Sequence, residues 1–238
     1  MSNETTNLWM PGDFVLVVLA GLAGAALAAA LGLGIENTSV LVLMALMAQH
    51  AAHLAALATV ARRRGSRLAA LGLDVFPSDG VWILFGATLQ IALAILFAPL
   101  AEWLQPEGSA QALTDFITDV EGTAVRVGLV LAVALLAPVV EELMFRGLLF
   151  KIVEERRSVR SALVISAMIF ALFHLLGIGT ADPLRSAAVL LPQLFLVGLV
   201  LGRLAHRHGR LGPAIFTHAG FNLIAVLALF LAPELLQT

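Results

Sequence analysis

The sequence predicts an all-α fold, a polytopic transmembrane helix bundle of about seven spans, and three observations predict it. Of 238 residues, 60% are hydrophobic and 13% charged, with a mean hydropathy of +0.97. Soluble domains typically hold about 45 to 50% apolar residues. Seven apolar stretches are each long enough to cross a hydrocarbon core of about 30 Å, which takes about 20 helical residues. The basic residues alternate between connections in the way the positive-inside rule requires.

Taken in order, the stretches run from Phe14 to Gly34, Ser39 to Ala61, Gly80 to Trp103, Thr123 to Phe150, Ser161 to Ile178, Leu184 to Leu204 and Leu211 to Ala232. The first lacks a basic leader and is too long for a signal-peptide core, so it is read as a mature span. The fourth is expected to continue along the surface through Lys151, Glu154, Glu155 and Arg156. Short connections make residues 1–238 one membrane domain. The exception is the acidic segment from Leu104 to Gly122, with room for a short surface helix. Arg62, Arg63, Arg64 and Arg67, then Lys151, Arg156, Arg157 and Arg160, then Arg203, Arg207 and Arg210 place 11 of the 14 basic residues in alternate loops. The N-terminus is therefore expected in the cytoplasm and the C-terminus outside, in a cell (inner or cytoplasmic) membrane. There is no cysteine, so neither disulfides nor thiolate metal sites arise, and a net charge of -2 without a basic stripe argues against a nucleic-acid partner. The partners expected are the lipid bilayer and a membrane-associated protein or peptide.

Ionisable groups at mid-membrane are costly, about 2.5 to 3.5 kcal/mol each on insertion scales, and are functional candidates for that reason. Glu141 and Glu142 lie in the fourth span with Arg146, His174 in the fifth, and His218 with Asn222 in the seventh. Counted from Lys151, Arg160 and Arg210 at the rise of a helix, Glu141, His174 and His218 lie about 15, 21 and 12 Å deep. Side chains four apart share a helix face, which pairs Glu142 with Arg146, His218 with Asn222, and Phe170 with His174. Glu141 is turned about 100° from Glu142. Arg146 would hold Glu142 ionised and structural, leaving Glu141 free to accept a proton. Pro138 cannot donate to the carbonyl of Ala134 and is expected to bend the helix there. Each feature also has a plainer reading: an interhelical ion pair for Glu142 and Arg146, and hydrogen-bonded packing for His174 or for His218 with Asn222. Gln49, His50 and His53 form a second polar cluster, read as satisfied packing polarity. Gly198 and Gly202 are read as a close helix approach within the chain, and Trp9 and Trp103 as interfacial anchors.

Glu141-Glu142-x-x-x-Arg146, Phe170-x-x-x-His174 and His218-x-x-x-Asn222 together resemble the three motifs of the CPBP (Abi) family of intramembrane endopeptidases, which includes the type II CAAX prenyl proteases. The resemblance covers a core from Thr123 to Leu231. Members usually have about eight spans, which makes eight the alternative to seven. The resemblance implies peptide-bond hydrolysis, with Glu141 and His174 polarising a water and His218 and Asn222 donating to the oxyanion. From the charge topology the site is expected to be reached from the cytoplasmic side. Glu142 belongs to the same set, and Arg146 and Phe170 support it. Glu141, His174 and His218 are also the candidates for a divalent metal such as Zn2+. The H-E-x-x-H pattern is absent and the resemblance leaves metal dependence open. The alternatives are a proton-coupled transporter, or a catalytically silent immunity or scaffold protein of the same fold. Inverted repeats would favour the transporter, and none is evident.

Overall fold

The computed structural model describes residues 9–104, 120, 122–177 and 182–231, and every regular element among them is helical. Seven helices follow one another. They are α1 (Pro11–Leu31) and α2 (Thr38–Arg63), α3 (Trp82–Leu104) after a 3-10 turn over Pro77–Val81, and α4 (Thr123–Glu154). After these come α5 (Val159–Phe173), extended by a 3-10 turn over His174–Gly177, α6 (Pro183–His208) and α7 (Gly212–Leu231). Six are long and apolar enough to cross a membrane, and α7 is a further apolar helix of 20 residues. The chain is a multi-pass membrane protein. The surface helix expected between Leu104 and Gly122 falls on residues 105–119 and 121, outside the described residues.

Polar side chains start several of these helices. Asn37 Oδ1 accepts the Val40 N–H at 3.0 Å, Ser158 Oγ that of Ser161 at 3.2 Å, and Asp182 Oδ1 that of Arg185 at 3.1 Å. Each satisfies an amide that the first helical turn leaves without a partner. Gly209 ends α6 in the left-handed region, φ +66°, and the chain re-enters a helix three residues later.

The long fourth helix is the axle of the bundle. It packs against α1, α2, α5, α6 and α7, and α3 lies outside it against α7. Over Leu143–Leu149 every residue of α4 is buried, as expected for a helix with neighbours on all sides. Small residues let the outer helices close up. A Cβ on Gly86 of α3 would land on the Thr217 carbonyl oxygen of α7, and one on Gly198 of α6 would sit 2.9 Å from Ala167 Cα of α5. Gly198 and Gly202 therefore serve contacts within the chain.

One end of the bundle is laced by polar contacts. Arg64 makes two 3.0 Å hydrogen bonds to Asp13. The Trp9 N–H donates to Glu155 Oε2 at 3.1 Å, and Arg156 Nη2 donates to the Trp9 carbonyl at 2.6 Å. Lys151 Nζ donates to the Ala70 carbonyl. Arg210 Nη2 donates to Asp79 Oδ1 at 2.7 Å, which raises the pKa of the guanidinium further. This end gathers the starts of α1, α3, α5 and α7 and the ends of α2, α4 and α6, so that successive described helices run antiparallel. Two expectations change here. The fourth helix stops at Glu154 instead of running on through Arg156, whose Nη1 turns back to the Ile152 carbonyl at 2.8 Å. Trp9, read as an interfacial anchor, is buried, while Trp103 is exposed.

Candidate active site

Two π-helical segments, Ala132–Leu136 and Leu143–Leu149, flank the carboxylate pair on α4. Such wide turns are rare and recur at functional sites. In the first, the Ala137 N–H reaches Ala132 O, five residues back. The carbonyl whose donor would be Pro138 is therefore Val133, one residue before the Ala134 expected from α-helical spacing. Asn222 Nδ2 of α7 supplies the missing donor at 2.9 Å. In the second, Phe145 O takes the Phe150 N–H and also the Ser166 hydroxyl of α5 at 3.0 Å.

Glu142 is fully buried. Its Oε1 accepts from Arg146 Nη1 at 2.8 Å and from His218 Nδ1 at 2.9 Å. Arg146 Nη2 donates on to the Gly198 carbonyl at 3.1 Å, and its guanidinium lies 4.4 Å from the centre of the Phe170 ring. An ionised carboxylate only accepts, so His218 Nδ1 is the donor and the ring's remaining edge is Nε2. That atom lies 3.7 Å from Glu141 Oε2, longer than a hydrogen bond.

Glu141 faces the other way. With His174, Asn222 and Met144 it lines a cavity of about 620 Å³. Its Oε2 is buried and has no hydrogen-bond partner. His174 Nδ1 donates to the Phe170 carbonyl at 2.8 Å, which puts the lone pair of the neutral ring on Nε2. The motif residues thus fall into two groups. Glu141, His174 and Asn222 line the cavity, whereas Glu142, Arg146, His218 and Phe170 pack behind them. His218 and Asn222 share a helix face but divide between the two groups.

The direction of the cavity differs from the expected route from the basic end. On α4 it is lined from Leu129 to Glu141 and Met144, on α6 by Leu190 and Leu194, and on α7 by Asn222, Ala225 and Val226. These positions run from mid-bundle toward the end opposite the laced one. On the basic side the fully buried side chains of Phe145, Leu148 and Phe170 fill the space. The cavity also brings in residues of α2 that sequence reasoning set aside as packing, namely Gln49, His50 and His53. A signal was there: His50 lies 12 residues before Arg62, about 18 Å deep by the same count that singled out Glu141.

As arranged, the donor set does not fit a three-ligand metal site. Among the described residues no three His, Asp or Glu side chains converge as ligands, the candidates Glu141, His174 and His218 included.

Fold and site together define a class: an all-helical membrane protein with a carboxylate, imidazoles and a carboxamide gathered around one cavity. Residues 123–224, which hold all three motifs, match the family model of the Rce1-like type II CAAX prenyl endopeptidases. The resemblance read from the motifs is borne out over that stretch, which is less than half of the chain and leaves α1 to α3 outside it. No curated protein and no solved structure matches the chain.

Proposed function

We propose that the chain is an intramembrane endopeptidase that hydrolyses a peptide bond of a membrane-associated protein or peptide. The observation that carries this reading is Glu141 Oε2, a buried carboxylate oxygen without a partner, on a cavity shared with His174 and Asn222. In this mechanism a water is held by the His174 Nε2 lone pair and gives a proton to Glu141 as its oxygen bonds to the scissile carbonyl carbon. The oxyanion formed accepts the Asn222 amide hydrogen that Val133 leaves free. Glu141 then returns its proton to the leaving nitrogen as the C–N bond breaks. His218 contributes through Nε2, beside Glu141, since its Nδ1 donates to Glu142. The chain's own residues account for each of these steps, and none is routed through a metal. The laced, arginine-rich end faces the cytoplasm, so α1 begins inside and α7 ends outside.

The test is cleavage of apolar peptides, prenylated and unmodified, by purified wild-type protein in liposomes, with the products sequenced. Wild-type cleavage that Glu141→Gln and His174→Ala both abolish is the expected result. Cleavage that survives both changes would reject the assignment, and proton-driven solute flux without proteolysis would favour a transporter.

A further inference from the structure

The second helix brings polar groups into the same cavity from outside the stretch that matches the family. Gln49, His50 and His53 line it together with Glu141, His174 and Asn222. His50 and His53 are 5% and 3% exposed. His50 Nδ1 donates to the Leu46 carbonyl at 2.6 Å. Its ring is thereby held in one orientation, and in the neutral form the lone pair is on Nε2. The His53 ring occupies the niche left by Gly21 of α1, where any Cβ would overlap it. It meets the His50 ring edge-on, with centroids 6.3 Å apart. Its Nε2 is buried without a partner against Gly21, so the cavity-facing polarity of this wall rests on Gln49 and His50.

The lining selects among occupants. Among the described residues no lysine or arginine lines the cavity, and the acid that does is Glu141, so a phosphate headgroup or a free carboxylate would be buried without a counter-charge. An acyl chain would leave the Gln49 carboxamide, the second Asn222 amide hydrogen and the Nε2 lone pairs of His50 and His174 unanswered. A peptide main chain fits, because each residue offers one N–H and one C=O. The carboxamides of Gln49 and Asn222 offer the same pair of groups, and the His50 lone pair accepts an N–H. We propose that Gln49 and His50 are substrate-binding residues that hydrogen-bond the main chain of an extended apolar segment, on a wall of the cavity formed by α2 and apart from α4. The inference depends on the proposed hydrolysis for its kinetic readout and stands apart from it for binding.

The probe is a quenched-fluorescent apolar peptide. In the wild-type background, Gln49→Leu and His50→Leu are each expected to raise KM about fivefold to tenfold with kcat within about twofold, the pattern of a lost ground-state hydrogen bond. His50→Gln, which keeps a donor and an acceptor, should recover most of the loss. The chain has no cysteine, so Leu46→Cys supplies a single thiol on the cavity wall. In a Glu141→Gln background the peptide should slow alkylation of that thiol by N-ethylmaleimide, and adding Gln49→Leu should raise the peptide concentration needed by a similar factor. Unchanged KM in both leucine variants, or no protection by the peptide, overturns the proposal while leaving wild-type cleavage to stand. Protection that depends on Gln49, in a protein that never cleaves the peptide, upholds the subsite and rejects the hydrolysis.

Discussion

Glu142 is tied into an ion network through one of its oxygens, while its Oε2 and Arg146 Nε stay buried without partners, and Glu141 lies on the cavity. The first carboxylate holds an arginine and an imidazole at 2.8 and 2.9 Å, and the arginine reaches on to the Gly198 carbonyl. The second, one residue earlier, turns a buried and unpartnered oxygen toward a cavity. A rotation of about 100° along one helix separates an acid paired with an arginine and an imidazole from an acid that faces a cavity. Charges in low dielectric cost least when compensated, so the Glu142–Arg146 pair acts as a scaffold behind the site, and Glu141, on the cavity, is the acid placed to meet an incoming molecule.

Substitutions can break this contrast. Glu141→Gln is expected to lower kcat about 10²- to 10⁴-fold, the span of a general base, with no loss of thermal stability in detergent. Arg146→Met alone should cost about 3 to 5 kcal/mol in denaturant titrations, because it strands a buried carboxylate. The double change Glu142→Met with Arg146→Met should regain most of that stability yet leave His218 without its anchor and activity low. Asn222→Leu should lower kcat about 10²- to 10³-fold, as for loss of one oxyanion donor, and weaken the fold by about 1 kcal/mol through the Val133 carbonyl. Ser166→Ala sharpens the comparison from the other side. It removes a hydroxyl from the Phe145 carbonyl within the scaffold and should cost about 1 kcal/mol while cleavage is unchanged.

The crossings were legible in the sequence because hydropathy and charge act over tens of residues, and the pairing of Glu142 with Arg146 because i and i+4 are neighbours on any helix. What stayed hidden turned on shifts of one residue or on distant partners. The π turn moved the carbonyl without a donor from Ala134 to Val133, and nothing in an α-helical count anticipates that. His218 and Asn222 share a face, but that does not say which of them meets Glu142 and which meets the cavity. Trp9 was read from composition alone, and its burial depends on Glu155 and Arg156 nearly 150 positions later. His50 and His53 were seen but taken as packing, because their common cavity with Glu141 is built by six helices at once.

The α1–α2 pair has a consequence for how the protein is made. Its two helices are closely fitted, with Gly21 under His53 and Gly24 against Ala48, and Asp13 ties its free end to Arg64. Their main neighbour beyond each other is α4. A ribosome delivers this hairpin before the fourth helix, so it can assemble in the bilayer as a preformed unit while its imidazoles wait in lipid for that helix to arrive. Nascent chains arrested before Thr123 would show that unit on its own.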